Sequence, residues 1–260
     1  MRNNNQIKND ANKAPGFAVA NRIVDRIIII ILAVILALGL YCIYNTLYLL
    51  RNPSQNLAYY FEGGKEDWDR LPDNAAGWLT MYHTNINYPV MQGANNEEYL
   101  NKDAFGQYSL TGSVFLDFRN KPDWSDDYNL LYGHHMASNQ MFGSLDLYKD
   151  QSYMNEHKKG ILKTRGADYK LTVFAVIKAP ASNKILFRAG KEANTRQLLA
   201  HLQTQALLYE APKQHKYLAM STCQDSGMTE RLIVLASMKT IQEPGTLYEN
   251  DHTVDPTSKK

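Results

Sequence analysis

The sequence predicts a mainly β fold with helices, preceded by one membrane-spanning helix. An aliphatic run lies near the N-terminus, between Ile27 and Leu50. Many short apolar segments of strand type follow it, separated by Gly, Pro, Asn and Asp. Strands and helices do not alternate regularly along the chain. This pattern favours an antiparallel or mixed β-barrel of about seven or eight strands with peripheral helices.

The aliphatic run is long enough to cross a bilayer, since a spanning helix needs about 20 apolar residues. Arg22 and Arg26 precede it and positive charge is thinner after it, which favours an N-terminus in the cytoplasm. The run ends in bulky residues around Tyr41 and Cys42, unlike a signal-peptide cleavage site or a lipid-attachment site. We therefore expect an uncleaved single-pass anchor in the cell membrane, with the remaining chain on the extracellular face.

The composition argues against several functions. The chain of 260 residues carries a net charge of +2, so no nucleic-acid partner is expected. Of its two cysteines, Cys42 lies in the aliphatic run and Cys223 stands alone in the remainder, so no disulfide is expected there. The histidines lack ligand-type spacing and no loop resembles a Ca²⁺ cage, so no metal or cofactor is expected.

The chain divides into five predicted parts. Roughly 210 residues follow the anchor, enough for one sizeable domain. Strand-type segments begin at Gly77 and end near Ser237. The parts are a cytoplasmic tail (1–26), a transmembrane signal anchor (27–50), a stalk or N-terminal helical region (51–76), a barrel domain (77–240) and a polar C-terminal tail (241–260).

Two segments carry the clearest periodicity. Between Tyr169 and Lys178 the alternation predicts one buried face, formed by Tyr169, Leu171, Val173, Ala175 and Ile177. The intervening residues mix Lys and Thr with Phe174 and Val176, which predicts a mixed second face. The pattern from Glu192 to Tyr209 predicts the best helix of the domain. Its apolar stripe comprises Leu198, Leu199, Leu202, Ala206 and Tyr209.

The most informative residue is Cys223, which ends an apolar run starting at Tyr217. Turn-type residues follow it, so its thiol should lie at a rim, where a nearby cation would make the thiolate a strong nucleophile. Arg231 opens the next apolar run and is that cation. The commoner role of a lone cysteine is a buried packing residue, and an arginine at this place could simply pair with Glu230.

Two adjacent histidines complete the candidate chemistry. His134 and His135 follow the apolar run Asn129–Gly133, and on a strand their side chains would point to opposite faces. Only one of them can therefore serve a site, and the other is a surface residue. A thiol, an imidazole and a guanidinium at strand ends would provide a nucleophile, a proton carrier and an anion stabiliser, which suits acyl transfer.

These motifs together resemble the sortase family, and specifically its class B branch. The similar strings, in order, are Tyr88–Gly93, Asn96 with Tyr99-Leu100, Gly112–Asp117, Tyr132–Met136, Met141–Leu145 and Ser221–Cys223 with Arg231. The resemblance covers about Gly77 to Met238, and as an ordered set it is specific. The helix from Glu192 also resembles the inserted helix of class B. The segment before Cys223 departs from the family pattern, with Ala219-Met220 where Thr-Leu is usual.

The resemblance implies a closed eight-stranded β-barrel and a cysteine transpeptidase without a cofactor. In that scheme Cys223 attacks the Thr carbonyl of a C-terminal sorting motif in a secreted protein, His134 transfers protons, and Arg231 binds the substrate and the developing oxyanion. A peptidoglycan-precursor amine resolves the thioacyl-enzyme. Asn96, Leu100 and Ser221 match positions that line the peptide groove.

Three alternatives remain open at this point. One is a class B pilin polymerase, which would join subunits through a lysine amine. Another is a papain-like or amidase-type cysteine hydrolase, although in those enzymes Cys precedes His and opens a helix, whereas here His134 precedes Cys223. The third is a non-catalytic, membrane-tethered barrel that binds peptides, for which Cys223→Ala would leave the cellular phenotype intact.

Overall fold

The structure is a computed structural model and describes residues 4–51, 71–136, 139–222 and 230–241, with side chains described from residue 22 to 48 of the first segment. That first segment is one helix, α1 (Asn4–Arg51), which forms a compact unit separate from the rest. Within it, Arg22–Tyr48 is long and apolar enough to cross a membrane, with a mean hydropathy of 3.0. Its aliphatic side chains are exposed, which is the kind of surface that lipid would cover.

The second unit is built on one sheet that closes into a barrel. The strands are β1 (Ala75–Met81), β2 (Asn87–Met91), β3 (Val114–Leu116), β4 (Tyr128–Gly133), β5 (Lys159–Lys163), β6 (Asp168–Pro180), β7 (Leu208–Tyr209), β8 (Tyr217–Thr222) and β9 (Glu230–Ile241).

Eight of these strands form a closed ring. Their order is β5-β1-β2-β3-β4-β8-β9-β6, and β6 pairs back with β5. The short β7 adds to the outer edge of β6. Two pairs are parallel, β2 with β3 and β4 with β8, and the others are antiparallel. The predicted closed eight-stranded mixed barrel with peripheral helices is therefore confirmed.

The helices of this unit are short. Among the described residues they are α2 (Gln151–Glu156), α3 (Thr195–Gln205) and three 3₁₀ segments, Glu98–Leu100, Phe142–Lys149 and Gly190–Glu192. Helix α3 begins after Asn194, whose side-chain oxygen accepts a hydrogen bond from the Gln197 amide. It ends before the predicted Tyr209, because the Leu207 amide bonds the Val176 carbonyl and the chain joins β6 as β7.

Apolar side chains form two buried clusters. The first contains residues from all eight barrel strands, including Leu79, Leu131 and Val234, and fills the interior. The second lies outside the barrel and contains Leu198 and Leu202 of α3. Both helix residues are almost fully buried.

Strand β6 changes its orientation in the middle. A register irregularity between Val173 and Ala175 interrupts its pairing with β9. All five residues predicted to be buried are buried, and the intervening residues are mixed, as expected. Val173 packs in the interior cluster, whereas Ala175 and Ile177 pack in the outer cluster, because a β-bulge inserts one residue and reverses the alternation.

Candidate active site

Three strand ends meet at one rim of the barrel. Strands β4 and β8 run parallel in the register Gly133↔Thr222. Strand β9 runs antiparallel to β8, with Ser221 opposite Ile233. The carboxyl ends of β4 and β8 and the beginning of β9 therefore lie side by side. In sequence, His134 follows β4, Cys223 follows β8, and Arg231 is the second residue of β9.

Cys223 lies outside the described residues, as does the connection to residue 229. Its neighbour Thr222 is well defined and almost fully buried. The Thr222 hydroxyl accepts a hydrogen bond from the Leu232 amide at 3.1 Å and lies 3.4 Å from the Leu232 carbonyl oxygen. One side chain thus ties the end of β8 to the beginning of β9, directly beside the two predicted residues.

His134 is half-buried and held through its ring. Its Nε2 lies 2.7 Å from the carbonyl oxygen of Leu100. A carbonyl oxygen can only accept, so Nε2 carries a hydrogen and donates it. The Nδ1 atom remains the nitrogen of this ring that can exchange a proton with a bound peptide.

The backbone around His134 is fixed by the Met141–Leu145 motif. The Phe142 amide donates to the His134 carbonyl oxygen at 3.0 Å. A Cβ on Gly133 would lie 2.7 Å from the Phe142 ring, so only glycine permits this approach. The two sequence motifs are therefore parts of one packing arrangement.

His135 has a different environment, as predicted. Its Nε2 lies 2.8 Å from Asp146 Oδ2, and Lys149 Nζ lies 2.9 Å from the other oxygen of that carboxylate. Although burial opposes ionisation, hydrogen bonds from His135 and Lys149 hold the pKa of Asp146 below its usual value. His135 therefore belongs to an ion-pair cluster, while His134 faces Leu100.

Arg231 contacts two aromatic rings. Its Cζ is 5.7 Å from the centre of the Tyr132 ring and 5.4 Å from that of Phe187. Both distances suit cation–π contact. Its Nε is buried and finds no hydrogen-bond acceptor among the described residues. A buried guanidinium donor without a partner costs free energy unless something else supplies the acceptor, so this atom is available to a ligand.

The three predicted groove residues have different surroundings. Asn96 uses both ends of its amide: Nδ2 donates to Asp117 Oδ2 at 2.9 Å, and Oδ1 accepts from the Phe118 amide at 3.0 Å. Leu100 is half-buried and supplies the carbonyl that binds His134. Ser221 is fully buried in β8. Their part in substrate binding remains a prediction.

Sequence reasoning did not identify several residues around Arg231. Tyr132 and Asp117 occur in the motifs named above, but their local pattern indicates no role beyond strand formation. Arg119 and Phe187 lie in loops and gave no signal, because their contacts join segments far apart in the chain. Among the described residues no group of three or more His, Cys, Asp or Glu side chains could hold a metal ion.

Comparisons with known proteins agree with this geometry. A family model described as the sortase domain matches residues 79–239. The barrel and the ordered motifs at its rim thus define the class of protein: the chain belongs to the sortase family, which consists of cysteine transpeptidases.

The relatives specify the branch of the family. Sortase B of Staphylococcus aureus is 30% identical over 179 residues, which are 66% of this chain and 73% of that protein. Sortase B of Listeria monocytogenes is 32% identical over 110 residues, 42% of this chain and 45% of that protein. The resemblance to class B that the motifs indicated is confirmed.

Solved structures give the same result. A Streptococcus pyogenes class B sortase involved in pilus biogenesis is 38% identical with a TM-score of 0.58, covering 63% of this chain and 91% of that one. A Staphylococcus aureus sortase B–substrate complex is 29% identical with a TM-score of 0.62, covering 74% and 94%.

Proposed function

We propose that this protein cleaves a C-terminal sorting motif of secreted proteins after Thr and joins the Thr carboxyl group to an amine of a peptidoglycan precursor. The observation that carries the proposal is the meeting of the β4, β8 and β9 ends, which brings His134 and Arg231 to the rim where β8 leads into Cys223. Nucleophile, proton carrier and oxyanion donor would then reach one peptide bond.

In the first half-reaction the Cys223 thiol passes its proton to Nδ1 of His134, and the resulting thiolate attacks the Thr carbonyl carbon and forms a C–S bond. The carbonyl electron pair moves to oxygen, where Arg231 donates a hydrogen bond. The oxyanion collapses, the C–N bond breaks, and His134 gives its Nδ1 proton to the departing amine. The product is a thioacyl-enzyme with the Thr carboxyl group bound to sulfur.

In the second half-reaction an acceptor amine attacks the thioester carbon. His134 takes the proton of the amine, the new C–N bond forms and the Cys223 thiolate leaves. The Leu100 carbonyl supports both steps because it holds His134 by Nε2 and leaves Nδ1 free. Asn96, Leu100 and Ser221 would contribute to the peptide groove beside these residues.

Helix α1 fits an enzyme that works on membrane-bound partners. We place Arg22–Tyr48 across the cell membrane, with the N-terminus in the cytoplasm and the barrel outside. An exported chain and a lipid-linked precursor on the same surface meet the enzyme at a raised effective concentration, without any additional contact.

A second candidate is the joining of pilin subunits through a lysine amine. The similarity to the Streptococcus pyogenes class B sortase involved in pilus biogenesis, at 38% identity, favours it. Both reactions share the acylation half and differ only in the acceptor. The acceptor amine is therefore the measurement that separates them.

The test uses the full chain in detergent with a library of sorting-motif peptides, and detects the thioacyl adduct by mass spectrometry. We expect an adduct on Cys223, absent in Cys223→Ala and strongly reduced in His134→Ala and Arg231→Ala. Efficient acylation of the His134→Ala protein would contradict the mechanism. A cross-bridge peptide and a lysine-bearing pilin, offered together, identify the acceptor by the product formed.

A further inference from the structure

A buried charge network lies behind Arg231. The Asp117 carboxylate is fully buried. Arg119 donates to it twice, from Nε to Oδ1 at 2.8 Å and from Nη2 to Oδ2 at 2.7 Å. The Tyr132 hydroxyl donates to Oδ2 at 3.1 Å, and Asn96 donates to the same oxygen. The charge is therefore paired and hydrogen-bonded, as a buried carboxylate requires.

The network reaches both rings that enclose Arg231. Tyr132 contacts Asp117 through its hydroxyl and Arg231 through its ring. On the other side, Nη2 of Arg119 also donates to the Phe187 carbonyl oxygen at 2.8 Å, and the Phe187 ring faces Arg231. The Asp117 carboxylate thus holds Tyr132 directly and Phe187 through Arg119, and the rings of these two residues contact the Arg231 guanidinium.

This arrangement determines where Arg231 can point. Arg231 is anchored at the start of β9 opposite Ala179 of β6, and its long side chain has many rotamers in the absence of neighbours. The contacts with the Tyr132 and Phe187 rings restrict the guanidinium group, and with it the direction of the Nε–H donor. Among the described residues that donor has no acceptor, so within this part of the chain the two rings are the contacts that orient it.

The hydrogen bond to Asp117 also makes the Tyr132 ring more attractive to a cation. Its hydroxyl donates to a carboxylate, which pushes electron density onto the ring and strengthens its attraction for the guanidinium. Burial and the Asp117 charge both raise the pKa of Tyr132, so it stays a neutral donor.

We propose that Asp117 is a positioning residue for Arg231: through Arg119 and Tyr132 it holds the Phe187 and Tyr132 rings that aim the guanidinium at the substrate carbonyl. The inference rests on the proposed function of Arg231. It assigns a role in catalysis to a fully buried carboxylate, which would act through Arg119 and Tyr132.

The test is a double-mutant cycle on the rate of Cys223 acylation at saturating peptide, in the full chain. Asp117→Asn keeps the shape of the side chain and removes its charge, and we expect a rate loss of roughly tenfold to hundredfold, typical of a misplaced catalytic group. Arg231→Ala should lose at least as much. The double variant should be no slower than Arg231→Ala alone, because Asp117 acts through Arg231.

A structural readout accompanies the rates. The Nε–H resonance of Arg231 should be displaced by the two ring currents, and Asp117→Asn should move it towards the position of a free arginine. Asp168→Asn is the matched control, because Asp168 lies at the end of β6 remote from Ala179, the residue that pairs with Arg231. This variant should alter neither the acylation rate nor the Arg231 resonance. Multiplicative losses in the double variant, or an unmoved resonance, would overturn the proposal.

If Asp117→Asn fails to fold, Tyr132→Phe tests the positioning role instead. This variant keeps the ring and removes only the hydroxyl contact with Asp117. A lower rate with a moved Arg231 resonance supports positioning, and an unchanged rate and resonance overturn it.

The proposed function and the positioning role are contradicted by different results. Normal acylation by Arg231→Ala would overturn the proposed role of Arg231, whereas a slow Arg231→Ala with normal Asp117→Asn and Tyr132→Phe would overturn only the positioning role.

Discussion

His134 Nε2 lies 2.7 Å from the Leu100 carbonyl oxygen, a contact between the end of β4 and a 3₁₀ turn 34 residues earlier in the chain. The bond fixes which ring nitrogen holds a hydrogen and orients the imidazole at the barrel rim. A main-chain atom supplies the support that a side-chain carboxylate supplies in many catalytic triads.

The carbonyl of Leu100 lies close to Gly112, where there is no room for a side chain. A Cβ at position 112 would lie 2.4 Å from that oxygen, and Gly112 has a φ of +56°. Gly112→Ala should therefore push the carbonyl away from His134 and lower the acylation rate by roughly tenfold or more. Nitrogen NMR of His134 should show a mixture of tautomers in place of the Nε2–H form.

Gly106→Ala is the matched control for this prediction. Gly106 has a φ of +77°, so alanine is strained there as well, but an added Cβ would meet nothing within 4 Å. The variant should lose stability of about 1 kcal/mol without a change in the His134 tautomer. Equal rate losses in the two variants would show that backbone strain, not the Leu100 carbonyl, explains the effect.

The Thr222 hydroxyl should be needed to hold β9 beside β8. Thr222→Val keeps the shape and removes the acceptor of the buried Leu232 amide, so we expect a loss of about 1–3 kcal/mol in the free energy of unfolding. Denaturant melts measure this loss. Thr222→Ser retains the hydroxyl and should lose less, and equal losses in the two variants would refute the hydrogen-bond explanation.

Asp117 should contribute a pH-dependent part of the stability. Burial alone would raise its pKa, but hydrogen bonds from Arg119 and Asn96 outweigh it and keep the pKa below the ordinary 3.8. The folded pKa is thus lower than the unfolded one. The stabilisation is complete above the unfolded pKa and is lost as the pH falls through the folded pKa.

Denaturant melts of wild type and Asp117→Asn test this dependence. The stability difference between them should be constant from about pH 5 to 7 and shrink below about pH 4, by up to about 1.4 kcal/mol for each pH unit separating the two pKa values. A difference that stays constant into acid would mean that Asp117 does not titrate as argued.

Membrane attachment should depend on the middle of α1. Ile35 is 59% exposed near the centre of the Arg22–Tyr48 segment. Ile35→Arg should disfavour insertion by about 2.5–3.5 kcal/mol, whereas Tyr48→Arg, at the end of the segment, should be tolerated. Carbonate extraction of membranes measures the attached fraction. Equal extraction of the two variants would argue against a spanning helix centred at Ile35.

Much of the rim could be predicted because its signals are local. The apolar runs that end at Gly133 and Cys223 and the one that starts at Arg231 are continuous in sequence. The observed strands agree within one residue: β4 ends at Gly133, β8 at Thr222, and β9 begins at Glu230. Neighbouring strands joined by a short connection were expected for β8 and β9, and they do pair. The roles of Cys223, His134 and Arg231 remain predictions.

Two features predicted from local sequence patterns, in β6 and in the segment Glu192–Tyr209, are changed by contacts with distant segments. The alternation in β6 predicted one buried and one mixed face, and a bulge at Val173–Ala175 placed the buried residues on both sides of the sheet. The stripe from Glu192 to Tyr209 predicted one helix, but pairing with β6 converted its end into β7. Leu198 and Leu202 of that stripe are buried, whereas Leu199, Ala206 and Tyr209 are half-buried.

Residue types and their spacing are enough to predict the apolar helix, the barrel strands and the positions of His134 and Arg231 beside strand ends, because each of these leaves a local pattern in the chain. The Leu100 carbonyl beside His134 and the Asp117–Arg119 network behind Arg231 leave none. Every residue has a carbonyl, and a buried carboxylate reads in sequence like an exposed one. Only closure of the barrel brings these distant groups together, and so only the tertiary structure decides how the imidazole and the guanidinium are aimed.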